Sequence, residues 1–209
     1  MSLNLAEAIS HLTEADPILA RVINSTDELP TFEPHTNYYQ ALVESIISQQ
    51  LSVKAAASIE KRFYALFDGI PSPEELVATD IERLRGAGLS RPKARYIQDL
   101  GTRVIDGTVV FETLSELTND QIVEELTKVK GIGEWTVHMF LMFCMGRLDV
   151  LPVGDLGIRN GIQKLYKLPA LPDTETVRAV AAQNGWSPYA SVASWYIWHS
   201  LDNAPPVSV

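Results

Sequence analysis

Helix start signals recur along the whole chain of 209 residues, and they constrain the fold more than any other feature. In these signals a capping hydroxyl or carboxylate precedes a helical spacing of apolar residues. They occur at Ser72 (before Pro73), Thr79 (with Glu82), Thr118 (with Gln121), Asp173 and Ser187. Alternating strand patterns are short and weak. The sequence therefore predicts an all-α fold of about ten or more helices joined by short loops.

A Gly-x-Gly turn lies between two helical spacings in the segment 126–137. Its glycines, Gly131 and Gly133, let the backbone turn tightly and come close to another surface. Backbone amides that open a new helix can bind a phosphate without basic side chains, and Lys128 and Lys130 stand ready to assist. The alternative is a glycine-rich helix–helix turn with no ligand.

Asp155 follows Pro152 and Gly154 in a loop beyond this hairpin. Taken alone, an aspartate here predicts an N-cap for a helix that begins near Leu156. The same residue also offers a fixed carboxylate, so a structural and a chemical role both stand at this point.

Three features together resemble the helix-hairpin-helix base-excision glycosylases: the hairpin, the sequence Trp135-Thr136-Val137 and the loop that ends in Asp155. Further segments that carry the likeness are 45–52, 88–94 and 186–198. The likeness covers roughly residues 38 to 198 and points to the 3-methyladenine DNA glycosylase II branch. It implies two helical lobes, 38–147 and 1–37 plus 148–209, with the active site in the cleft between them.

The resemblance makes Asp155 the catalytic carboxylate of an enzyme that excises alkylated bases from double-stranded DNA. Breaking an N-glycosidic bond builds positive charge on the sugar. A carboxylate can stabilise this charge, or it can orient and activate the attacking water. In relatives that also cut the strand, the position of Trp135 is a lysine that forms a Schiff base. Trp135 therefore predicts a monofunctional enzyme with no lyase activity.

The base pocket that the resemblance implies contains Trp135, Met139 and Trp198, and the rings of the two tryptophans attract a cationic alkylbase. A core stripe on the helix is the alternative for Met139, where the family often has tyrosine. Gln49 and Gln50 match the wedge that fills the gap left by a flipped base, and we favour Gln50. A polar helix terminus is the alternative there.

The remaining expectations concern DNA and ion binding at the hairpin. Assigned DNA contacts are Gly131, Gly133, Lys128, Lys130, Thr136, Gln49 and Gln50. The backbone carbonyls of Thr127, Val129 and Ile132 are expected to hold a sodium or potassium ion, and no cofactor is required. Ala190 stands where the family commonly has arginine, a departure that bears on DNA binding rather than on the reaction.

A net charge of −9 and a pI of about 4.9 argue against nucleic acid if taken alone. Binding through backbone amides reconciles the acidic composition with DNA. The single cysteine, Cys144, excludes an internal disulfide and a Cys-ligated metal cluster, which favours an intracellular compartment. No apolar run is long enough for a membrane span, and a monomer is expected.

Two other functions stay open on the sequence alone. The chain could be a catalytically inactive helix-hairpin-helix module that binds DNA, or a helical interaction protein that never meets DNA. The hairpin combined with Asp155 argues against the second alternative. Asp155 with a tryptophan-lined pocket argues against the first, because a mere binder needs neither.

Overall fold

The computed structural model describes residues 4–32, 34–35 and 37–201. Within these residues the regular elements are helical, as predicted. The α-helices, in chain order, are α1 Leu5–Ala15, α2 Pro17–Asn24, α3 Tyr38–Ser48, α4 Val53–Tyr64, α5 Pro73–Ala78, α6 Ile81–Gly86, α7 Arg91–Ile105, α8 Asn119–Leu126, α9 Glu134–Met139, α10 Leu156–Leu165, α11 Thr174–Gln183 and α12 Ala190–His199. A 3₁₀-helix covers Phe111–Glu116, and a π-helix covers Phe140–Cys144 directly after α9.

Three predicted helix caps are confirmed. Ser72 and Thr118 both form complete capping boxes, in which the side chain three residues later accepts from the backbone N–H of the cap. Asp173 accepts from the Thr176 N–H at 2.8 Å. Each cap satisfies an N–H that has no partner inside its own helix.

Two predicted caps are wrong. Asp80 caps α6, with its carboxylate accepting from the Glu82 N–H at 2.7 Å, while Thr79 ends α5 and its hydroxyl donates to a carbonyl of that helix. Ser187 does not cap α12, which begins after Tyr189. The Ser187 hydroxyl donates instead to Asp149 Oδ2 at 2.6 Å.

The chain divides into two compact units, which are described separately. The first unit falls within Met1–Pro34 and Leu141–Val207, and the second within His35–Phe140. The chain passes from the second unit back to the first between Phe140 and Leu141, and not at 147 as expected. The helix breakers Gly146 and Pro152 mark loops inside the first unit. The expected interlobe active site stays a prediction.

In the first unit, α12 is buried along its length from Ala190 to Trp198 and contacts α1, α2 and α10. A helix that is apolar on all sides belongs in a core. The fully buried Asp16 ties the start of α2 to this core, since it accepts from the Trp186 indole N–H at 2.8 Å and from the Tyr166 hydroxyl. These hydrogen bonds offset the cost of burying a carboxylate.

In the second unit, α7 is the central helix and contacts α3, α5 and α6. Its apolar side includes Ile97 and Leu100, which are fully buried. The α8–α9 pair packs together and carries the predicted hairpin between Leu126 and Glu134. No helix among the described residues is long and apolar enough to cross a membrane.

Candidate active site

Asp155 lies at the N-cap of α10 and is half-buried. Its Oδ1 atom accepts from the Ile158 backbone N–H at 2.8 Å and from the Trp198 indole N–H at 2.8 Å. Hydrogen bonds to an ionised oxygen are short and strong. The structure therefore brings together two predicted site residues, Asp155 and Trp198, and fixes the orientation of the carboxylate.

Trp198 has a different surrounding from that of an open stacking ring. Only 3% of its surface is exposed, and its ring lies 6.3 Å from that of Phe143. Its contact with a base stays a prediction, and the structure adds a role that the sequence did not indicate: the indole orients Asp155.

Gly157 belongs to the same arrangement and was missed by the sequence analysis. A Cβ atom at this position would lie 2.8 Å from Trp198 Cδ1 and 3.0 Å from Asp155 Oδ1. Any larger residue would push against the Asp155–Trp198 pair. The available signal was a glycine in the first turns of a helix, where it costs stability relative to alanine.

The loop that leads to Asp155 is attached to the start of α12. The Ser191 hydroxyl donates to the Arg147 carbonyl at 2.7 Å and accepts from the Val150 N–H at 2.9 Å. Ala190, where an arginine was expected from the resemblance, is buried, and its N–H donates to Asp149 at 3.3 Å. Residues 147–150 and α12 therefore form one framework behind the carboxylate.

The hairpin follows α8, and Gly133 caps α9. Gly131 has φ +82°, and a Cβ there would overlap the ring of Tyr96, so the fold itself requires glycine. Gly133 differs, because a Cβ at this position meets nothing within 4 Å. The chain's own packing does not require a glycine at 133, which leaves room for an outside surface to come close.

The two hairpin lysines are not equivalent. Both side chains are exposed, but Lys130 Nζ lies 3.1 Å from Asp99 Oδ1, and the Lys130 N–H donates to Asp99 Oδ2 at 2.9 Å. Burial alone would raise the pKa of Asp99, but these hydrogen bonds and the charges of Lys130 and Arg103 bring it below its usual value. The positive charge of Lys130 is thus already offset within the protein.

Two further predicted residues lie on α9, with opposite exposure. Trp135 is 50% exposed, whereas Met139 is 9% exposed. The burial of Met139 agrees with the alternative that it belongs to a core stripe of the helix, whereas half-exposed Trp135 is not a core residue. Thr136 is buried at 8% exposure, and its contact with DNA stays a prediction.

Gln49 and Gln50 lie at the end of α3 and point to different tasks. The Gln49 amide donates to the Gly131 carbonyl at 2.9 Å, which joins this turn to the hairpin. Gln50 is exposed and has φ +58°, a conformation that few non-glycine residues adopt. Of the two, only Gln50 has the exposure that a wedge needs.

The predicted ligands of a bound sodium or potassium ion are backbone carbonyl oxygens of the hairpin. The Val129 carbonyl also accepts the Ile132 N–H at 3.1 Å, and a carbonyl oxygen has a second lone pair. Neutral carbonyl oxygens of Thr127, Val129 and Ile132 match the donors that sodium and potassium prefer. Among the described residues there is no cluster of three His, Cys, Asp or Glu side chains for another metal.

The chain is similar to DNA repair enzymes from yeast and bacteria. It is 37% identical over 163 residues to DNA-3-methyladenine glycosylase 1 of Schizosaccharomyces pombe, covering 77% of this chain and 71% of that protein. The solved complex of S. pombe Mag1 with abasic DNA has a TM-score of 0.78 at 32% identity, covering 97% of this chain and 99% of that one. A DNA-3-methyladenine glycosidase from Bacillus halodurans has a TM-score of 0.81 at 36% identity, covering 92% and 88%.

A family model described as the HhH-GPD superfamily base excision DNA repair protein matches residues 43–186, the stretch that contains both the hairpin and Asp155. The match confirms the predicted resemblance and the all-α glycosylase fold, and it argues against a helical protein that never meets DNA. This chain belongs to the HhH-GPD superfamily of base excision DNA repair proteins.

Proposed function

We propose that this base-excision DNA glycosylase removes alkylated bases of the 3-methyladenine type and leaves an abasic site. The observation that carries the proposal is the Asp155 carboxylate, held on one oxygen by the N–H groups of Ile158 and Trp198. The names of the relatives, which are 3-methyladenine glycosylases, support the substrate class and favour an enzyme over an inactive module.

The chemistry needs one well-placed anion. As the N-glycosidic bond breaks, positive charge develops on the sugar, and an oriented carboxylate stabilises it or activates the attacking water. An alkylated purine is already cationic and leaves readily, so strong acid catalysis of the leaving group is unnecessary. Asp155 alone then supplies the catalytic charge.

Recognition of the damaged base falls to Trp135 and Met139 on α9. An electron-rich indole ring attracts a cationic base by stacking and by cation–π contact. Half of the Trp135 surface is exposed and can receive such a base. The same residue replaces the lysine of strand-cleaving relatives, which supports a glycosylase with no lyase activity.

DNA binding falls to the hairpin and the α3–α4 turn. The backbone around Gly131 and Gly133 contacts the phosphates, Lys128 assists, and Gln50 enters the stack when a base leaves it. Sodium or potassium would be held by the carbonyls of Thr127, Val129 and Ile132, and would supply positive charge beside the phosphates. The S. pombe Mag1 structure, solved in complex with abasic DNA, supports DNA as the partner of this chain.

The direct test is release of bases from methylated duplex DNA, identified by chromatography and mass spectrometry. We expect free methylated purines and unbroken strands that carry abasic sites. Release of unmodified or oxidised bases instead of methylated ones would assign the protein to another substrate class, and an absence of release would leave it a DNA-binding module.

A further inference from the structure

Lys93 occupies an electrostatically unfavourable place on α7. It lies in the first turn of that helix, at the positive end of the helix dipole, and is half-buried. Burial lowers the pKa of the Lys93 ammonium. A lysine in such a position needs partners that compensate for both effects.

These partners are the last carbonyls of α3. Lys93 Nζ donates to the Ile47 carbonyl at 2.8 Å and to the Gln49 carbonyl at 2.5 Å. Carbonyls at a helix C-terminus have no partner inside the helix and carry partial negative charge. The ammonium therefore caps the C-terminus of α3, whose C-cap residue is Gln49. The next residue, Gln50, has a left-handed backbone conformation with φ +58°.

The same face of α7 also supports the hairpin. Lys93, Tyr96 and Asp99 follow one another at intervals of three residues, which places them along one side of the helix. The Tyr96 ring lies against Gly131, and Asp99 binds the Lys130 N–H at 2.9 Å. The Gln49 amide closes the link by donating to the Gly131 carbonyl at 2.9 Å.

We propose that Lys93 is a positioning residue that fixes the position of Gln50 relative to the phosphate-binding hairpin. Binding of the DNA backbone by the hairpin then coincides with insertion of Gln50 into the gap left by a flipped base. The inference rests on the proposed function, since it concerns how the wedge of that same site is aimed. Lys93 itself touches neither the base nor the sugar.

The test compares Lys93→Met with Lys93→Arg, which can still donate to both carbonyls, and with Arg178→Met, which removes a cation from the exposed side of α11. Affinity is measured for an undamaged duplex and for a duplex with a tetrahydrofuran abasic analogue beside 2-aminopurine. We expect Lys93→Met to lose about tenfold or more of the preference for the abasic analogue. The wild type should raise 2-aminopurine fluorescence when Gln50 enters the stack beside that base, and Lys93→Met should lose this rise. Its affinity for undamaged DNA should change little, and its Tm should fall because two hydrogen bonds at the end of α3 are lost.

Two further variants separate positioning from general support of the fold. In a Gln50→Ala background, Lys93→Met should add little, because both changes act on the same wedge. Gln49→Leu, which removes only the hydrogen bond to Gly131, should weaken the same preference even if Lys93→Met fails to fold. Lys93→Arg and Arg178→Met should behave like the wild type.

Equal loss of affinity for both duplexes in Lys93→Met, or additive effects with Gln50→Ala, would overturn the positioning role. Unchanged preference in both Lys93→Met and Gln49→Leu would overturn it as well. If the wild type itself shows no preference for the abasic analogue, the proposed wedge function fails, and the role of Lys93 fails with it. The wild-type measurement thus tells the two failures apart.

Discussion

At the scale of single residues, the N-cap position of Asp155 is compatible with the catalytic role that we propose for it. The Ile158 N–H bond is the one that any N-cap aspartate makes, and the sequence offered it as an alternative to catalysis. The Trp198 indole binds the same oxygen from 43 residues away. The cap and the indole together fix the direction in which the carboxylate points.

Removing the indole donor should therefore slow base release without weakening DNA binding. We expect Trp198→Phe to lower the single-turnover excision rate by about tenfold, the usual effect of a lost hydrogen bond to a charged group. Trp195→Phe is the matched control, because Trp195 is also buried in α12 but stacks on His199 instead. A folded Trp198→Phe protein with the wild-type rate would remove this hydrogen bond from the account.

At the scale of elements, the two glycines of the hairpin differ in whether the packing of the protein requires them. Gly131 is needed because Tyr96 packs against it, so its replacement disturbs the second unit. Gly133 faces open space, so its replacement tests only what approaches from outside. Lys130 is paired with Asp99, so the binding of phosphate that we propose falls mainly to the hairpin backbone, with Lys128 assisting.

Gly133→Val should therefore weaken DNA binding by about tenfold or more while lowering Tm only modestly, since valine is a poorer N-cap than glycine. Lys130→Ala should have a much smaller effect, because Asp99 already offsets that charge. Fluorescence anisotropy across a salt series measures both, since each lysine–phosphate contact adds about one unit to the salt slope. A steep slope that vanishes with Lys128→Ala and Lys130→Ala, with Gly133→Val tolerated, would contradict binding centred on backbone amides.

How much the sequence could predict also depends on the scale of the interaction. Thr118 with Gln121 was predictable because both partners lie within one helical turn. The prediction of Thr79 as a helix cap was wrong because the neighbouring Asp80 offers a stronger acceptor to the same helix. Ser187 failed because its partner, Asp149, is 38 residues away, and the Trp198–Asp155 bond was missed for the same reason. Local spacing predicted the helices, and the family resemblance supplied the candidate site residues, but neither indicated the contacts that orient them.

At the scale of the whole molecule, an acidic chain of net charge −9 needs a way to bind DNA that does not depend mainly on its cations, because several of them are bonded within the protein. Basic side chains bonded within the protein are Arg62 to the Ala87 carbonyl, Arg91 to Glu82, Lys93 to the end of α3, Lys130 to Asp99 and Arg159 to the Pro172 carbonyl. These five basic side chains therefore serve the fold, and less positive charge is left for the DNA phosphates. We expect DNA affinity to depend less steeply on salt than in proteins that bind mainly through lysine and arginine.

The reaction outcome is also a property of the whole enzyme. With Trp135 in the position of the lysine nucleophile, borohydride added during turnover should trap no covalent protein–DNA complex, and strands should break only after alkali. Lys128 is exposed, and a fully solvated lysine lacks the desolvated surroundings that activate a nucleophilic amine. Efficient trapping by the unmodified protein, at the rate of base release, would place the enzyme in the strand-cleaving branch.

The most direct measurement of the central claim is the single-turnover release of methylated purines by Asp155→Asn, alongside its affinity for abasic-analogue DNA. Asparagine is also a good N-cap and can accept the Ile158 and Trp198 N–H groups, so the fold should be retained. We expect release to fall by about 100-fold or more, because the charge that stabilises the transition state is gone, while affinity stays within a few-fold. Near-normal release by a correctly folded Asp155→Asn protein would contradict the assignment of Asp155 as the catalytic carboxylate.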